Sequence, residues 1–113
     1  MLRDIVRVQH MLDSARLARN CVAGVDRATF VRDIGLQLQV SRCLEIVGEA
    51  AANVTEAYTA ANPHLPWAQM IRMRNRLIHA YFDVNLNIIW QTVTEDLPAL
   101  IPELQRLLQQ EGL

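Results

Sequence analysis

The chain has no lysine; all eleven of its basic residues are arginines. Genomic base composition alone can produce such a bias. Its chemical consequence stands regardless: any anion this protein meets is met by a planar fork of donors that matches phosphate or carboxylate. Aromatic residues are nearly as scarce, with two each of Trp, Tyr and Phe. That argues against a base-stacking RNA platform, which needs several exposed rings. No apolar run approaches the roughly 18–20 residues of a membrane span. The start, Met1-Leu2-Arg3-Asp4-Ile5-Val6-Arg7, is too interrupted by charge to read as a signal peptide. Cys21 and Cys43 have neither metal-ligand nor C-x-x-C spacing, so two reduced thiols in a cytoplasmic protein are the simplest account. There is no glycine-rich phosphate loop, no serine-nucleophile motif and no His/Asp/Glu set with metal-ligand spacing. His10 and His64 point to no chemistry, and no metal or other cofactor is expected.

What is present fits one domain, residues 1–113, with half the residues apolar and a fifth charged. The net charge of −1 gives no global field to attract nucleic acid. Its distribution says more than its total. Residues 67–82 hold Arg72, Arg74 and Arg76 without an acid, whereas residues 83–113 hold Asp83, Glu95, Asp96, Glu103 and Glu111 against Arg106 alone.

The apolar periodicity is helical throughout, with no convincing strand and no internal repeat. It predicts a first helix from about Leu2 to Asn20, with Ile5, Val8, Leu12 and Ala15 on one side and a stop near Gly24. Asp26 then caps a long second helix through Phe30, Leu38, Leu44, Val47, Val54 and Tyr58, in which Gly35 and the small run around Gly48 permit close approach by a neighbour. Asn62-Pro63 breaks the pattern, and Pro66 opens a third helix from Trp67 to about His79. Asp83 or Asn85 caps a fourth helix with Val84, Ile88, Ile89 and Val93 inward. Pro98 and Pro102 then kink it or start a fifth segment at Asp96, closed by Leu100, Leu104, Leu107 and Leu108. The expected fold is all-α, a single-domain bundle of four to five helices with mostly antiparallel neighbours.

Most of the chemistry lies in one octet, Arg74-Asn75-Arg76-Leu77-Ile78-His79-Ala80-Tyr81. It joins a permanent cation to the side chain whose proton is mobile near neutral pH. On a helical wheel Trp67, Met70, Ile71, Leu77, Ile78 and Tyr81 form one apolar stripe, and Arg74 falls near its centre. Arg72, Asn75, Arg76 and His79 share the polar side. A buried guanidinium without partners would cost several kcal/mol, so Arg74 either pairs with an acid, for which Glu45 and Glu49 are the candidates, or lies at a seam between subunits. Arg74 and His79 are also about 140° apart and roughly 7.5 Å along the axis in a regular helix. To act on one phosphate, the helix must loosen before Ala80-Tyr81-Phe82-Asp83 or two copies must share the site. Taken singly, each residue also has a plain reading: His79 as a solvent-facing histidine, Arg74 as an acid-paired structural arginine, Tyr81 as a packing residue, and Arg72 and Arg76 as a solvated face.

Arg74-Asn75-x-x-x-His79-x-Tyr81 resembles the R-x-x-x-x-H-x-Y signature of HepT-type toxins, within the all-helical HEPN superfamily. Leu44-Glu45-Ile46-Val47-Gly48-Glu49-Ala50, Pro66-Trp67, Tyr81-Phe82-Asp83-Val84 and Asp96-Leu97-Pro98 are similar to family segments too, so the likeness covers about residues 1–110. The resemblance implies an HEPN-like fold and a metal-independent endoribonuclease, the toxin of a type VII-like toxin–antitoxin pair. It implies a homodimer with a composite active site. The partner would be a minimal nucleotidyltransferase antitoxin of the MntA type, which silences the toxin by AMPylation of Tyr81. In that chemistry His79 moves protons and Arg74 stabilises the charge on phosphorus. Asn75 is placed to orient the His79 ring, Tyr81 contacts substrate, and Arg72 and Arg76 are candidate phosphate contacts. The alternative is a non-catalytic helical module that binds a nucleotidyltransferase or a nucleotide. A helical transcription regulator lacks the helix-turn-helix and basic recognition helix it would need.

Overall fold

A computed structural model describes residues 2–79 and 85–111, and these are helical with no strand among them. The segments are α1 (Leu2–Cys21), α2 (Arg27–Arg32), α3 (Ile34–Ala52), α4 (Glu56–Ala61), α5 (Trp67–His79), α6 (Leu86–Gln91), a π-helical turn (Thr92–Asp96) and α7 (Leu97–Gln110). The all-α architecture is as expected, but the segments outnumber the four or five predicted. The excess comes from the expected second helix, which the structure divides into α2, α3 and the short α4.

Side chains that compete with the backbone cause both breaks. Asp33 ends α2 and caps α3, its carboxylate accepting from Leu36 N–H at 3.0 Å. Gln37 donates its amide to the carbonyls of Phe30 and Val31, both at 2.9 Å, and so satisfies groups that the end of α2 leaves free. At the other break Thr55 caps α4 and is itself held by Asp4, which accepts from its N–H and its hydroxyl at 2.8 Å each. Asp4 is 1% exposed, a buried carboxylate that ties the start of α1 to the start of α4. Gly24, at φ +73°, supplies the left-handed turn after α1 that a side chain would disfavour.

α3 is the central element, packed chiefly against α1 and α5, while α7 packs on α1. Ile5, Val8, Leu12 and Ala15 of α1 are buried as predicted, and so are Leu100, Leu104, Leu107 and Leu108 of α7. Of the two glycines expected to permit close approach, only Gly48 does so. A Cβ added there would overlap Arg74 Cβ and stand 2.6 Å from Met70 O, whereas one on Gly35 would meet only Asp33 Oδ1, at 3.6 Å.

The C-terminal helix passes Pro98 by widening. Leu97 N–H bonds to Thr92 O, five residues back, which leaves Val93 O to be bonded by residue 98. That residue is proline and has no N–H. Arg19 of α1 takes the orphan instead, donating from Nη1 to Val93 O at 3.1 Å. Asn85 caps α6, accepting from Asn87 N–H at 2.7 Å. Ile89 and Val93 are buried while Ile88 is half-buried. Asp83 and Val84 lie outside the described residues. No described helix is long and apolar enough to cross a membrane.

Candidate active site

The octet begins on α5, whose inner face is formed by Trp67, Met70 and Leu77, at 8%, 8% and 2% exposure. Trp67 fixes the start of the helix by donating its indole N–H to Asn62 O at 2.8 Å. From there α5 continues through His79, so no loosening of the helix up to that residue brings Arg74 and His79 together. Ile78, assigned to the apolar stripe, is 48% exposed. It stands at the open end of the α3–α5 seam and lines a cleft with Ile46 and Ala50.

Arg74 lies against Gly48, whose missing side chain lets the two helices meet at the arginine itself. Its guanidinium is held on two sides. Nη2 pairs with Glu49 Oε2 at 2.5 Å, and Nη1 donates to Asn75 Oδ1 at 2.7 Å. Nε is buried without a partner among the described residues. Of the two acids proposed from the sequence, Glu49 is the partner, and Glu45 pairs with Arg42 at 3.3 Å instead. Asn53, at the end of α3, donates to Glu49 O at 2.8 Å and to Glu49 Oε1 at 3.4 Å. A line of polar contacts therefore runs from the α3 terminus through Glu49 to Arg74 and Asn75. With the Arg74 and Glu49 side chains 26% and 55% exposed, the pair adds little stability. Its main effect is orientation: it fixes a long side chain that would otherwise sample many rotamers.

Asn75 thus engages Arg74 through its carbonyl oxygen, not His79. His79 ends α5 and is exposed, as are Arg72 and Arg76. Arg74 and His79 remain on different sides of one helix. Tyr81, the last member of the motif, lies outside the described residues, as do Ala80 and Phe82.

Sequence reasoning missed the neighbourhood beyond Glu49. His10, dismissed there, lines the same cleft as Glu49, Arg7 and Arg42. The signal was the i, i+4, i+7 spacing of Arg3, Arg7 and His10, which puts all three on one face of α1. Among the described residues no group of three His, Cys, Asp or Glu side chains is placed to hold a metal ion.

Comparison with known proteins points to a family. Residues 11–107 match the family model described as "Ribonuclease HepT-like". A Thermococcus cleftensis protein named "Probable ribonuclease HepT" is 44% identical over 78 residues, which cover 69% of this chain and 71% of the relative. A Caldanaerobacter subterraneus subsp. tengcongensis protein, provisionally assigned as an RNase, is 35% identical over 104 residues, covering 92% and 93%. A third, from Methanocaldococcus jannaschii and likewise provisionally assigned, is 39% identical over 80 residues, covering 71% and 66%. No solved structure matches the chain.

Proposed function

We propose that this chain, which belongs to the HepT-like ribonuclease family, is a metal-independent endoribonuclease that uses Arg74 and His79. The observation that carries this reading is the setting of Arg74. A guanidinium oriented by Glu49 and Asn75 at a helix seam stands in the same motif as an exposed histidine, inside the span that matches the family. Cleavage by attack of a ribose 2′-OH requires a base for that hydroxyl, an acid for the leaving 5′-oxygen, and a cation for the added charge on phosphorus. Arg74 is the cation. His79 serves in proton transfer, with His79 of a second copy as the other proton carrier. The regular course of α5 supports a site shared by two chains, because one helix does not aim both side chains at one phosphate. In this reading Arg72 and Arg76, exposed like His79, contact flanking phosphates.

The chain acts in this reading as the toxin of a pair. Its antitoxin is a minimal nucleotidyltransferase that adds AMP to Tyr81, where the added phosphate competes for the arginines and its bulk closes the groove. Purified protein should cut RNA in the presence of EDTA and leave 2′,3′-cyclic phosphate ends. His79→Ala should lower the rate by about 10²–10⁴-fold, the range for loss of a general acid–base group. Activity that survives that substitution sinks the mechanism. Wild type of unmodified mass that cuts no RNA favours the non-catalytic module. Intact mass after co-expression with the partner tests the switch: an AMP increment that persists in Tyr81→Phe rules out this tyrosine.

A further inference from the structure

The cleft between α1, α3 and the end of α5 contains side chains that the motif does not use. It is a half-open cleft of roughly 340 Å³. Arg7 and His10 line it from α1 and Arg42 from α3, alongside the apolar Ile46, Ala50 and Ile78. Arg3 continues the basic row along α1, so Arg3, Arg7 and His10 span about 10 Å of one helix face.

The charge balance decides what suits this cleft. Its two acids are already engaged, Glu45 by Arg42 and Glu49 by Arg74. Neither Arg7 nor His10 has an acid partner among the described residues, which leaves a surplus of donors. The Arg42 side chain is 70% exposed, and so open a pair is weak enough to yield its guanidinium to a stronger anion. Glu49 is at once a wall of the cleft and the partner of Arg74, so a chain lying in the cleft leads to that guanidinium.

We propose that this cleft is a groove for the sugar–phosphate backbone of RNA, in which Arg7, His10 and Arg42 hold phosphates beyond the scissile one. The inference rests on the ribonuclease reading of Arg74. A backbone groove suits a chain so poor in aromatic residues, since arginine forks grip phosphates and leave base identity unread.

The test uses the full chain and an RNA oligonucleotide with 2′-O-methyl riboses, which binds without being cut. Its affinity is measured across a salt series for wild type, Arg7→Gln, His10→Ala, Arg42→Gln and the double arginine variant. Arg106→Gln, on α7 outside the cleft, is the control. Each lost phosphate contact should flatten the slope of log affinity against log salt by about 0.7, and the double variant should bind several-fold more weakly at moderate salt. Circular dichroism and sedimentation follow fold and assembly. A double variant that matches Arg106→Gln in affinity and slope overturns the groove. So does a loss of affinity that appears only alongside dissociation to monomers, which would make the cleft a contact between two copies. Wild type that binds no RNA at all defeats the ribonuclease reading itself, a result distinct from either of these.

Discussion

Gly48→Ala is a small change with opposed local and tertiary consequences. Locally it should help, since alanine in a helix interior is favoured over glycine by about 0.8–1 kcal/mol. Across the helix seam it should harm. The new Cβ would stand 2.6 Å from Met70 O, about 0.8 Å short of the 3.4 Å at which ordinary contact begins, and would overlap Arg74 Cβ as well. A backbone carbonyl within a helix cannot swing aside as a side-chain tip can, so α5 has to move away from α3. Overpacking of this kind costs about 1–3 kcal/mol, and the severity here points to the upper half. The net expectation is a loss of about 1–2 kcal/mol, or roughly 4–8 °C in Tm for a domain of this size. Urea and thermal unfolding followed by circular dichroism would measure it. Because the displaced residue is Arg74, ribonuclease activity should fall even at temperatures where the variant is fully folded. A variant as stable as wild type, or more stable, would show that helix propensity wins and that α3 and α5 do not meet closely at Gly48.

Three other perturbations separate further parts of the account. Glu49→Ala should change stability by less than about 1 kcal/mol, as for other half-exposed pairs, yet lower turnover by about 10-fold or more by releasing the Arg74 fork; unchanged or higher turnover would recast Glu49 as a competitor of the substrate phosphate. Arg19→Met keeps the aliphatic packing but strips the donor from Val93 O, so urea unfolding should show a loss of about 1–3 kcal/mol, and no loss would mean that water satisfies that carbonyl equally well. Burial raises the Cys43 thiol above its ordinary 9.0, so the native state keeps its proton where the unfolded chain has begun to lose it. The Cys43 contribution to stability is therefore full below pH 9.0 and declines as pH rises towards the folded value. Cys43→Ala should remove that decline between otherwise matched pH series, and iodoacetamide should label half-exposed Cys21 in the native protein well before Cys43.

Periodicity and punctuation residues settled a large part of this molecule. Pro66 before Trp67 set the start of α5, and the apolar spacing of α1 and α7 set the faces they bury, because these features act within one or two helical turns. The position of Arg74 on the apolar stripe of α5 likewise implied either an acidic partner, with Glu45 and Glu49 as candidates, or a seam between subunits. Choosing between the two acids required the register of α3 against α5, which depends on Gly48 and on no local signal. The breaks at Asp33 and Thr55 were also out of reach. They depend on Gln37 reaching back to the end of α2 and on Asp4 reaching across from α1, hydrogen bonds that outweigh a continuous helical pattern. The course of α5 through His79 leaves Arg74 and His79 facing different ways. Only the packing of α1 on α3 then puts Arg7 and His10 beside Glu49. The sequence by itself therefore determined the helices and the motif they carry, since both follow from spacing along one chain. Tertiary structure decided which carboxylate orients the arginine and which cleft adjoins it, since both depend on how separate helices pack.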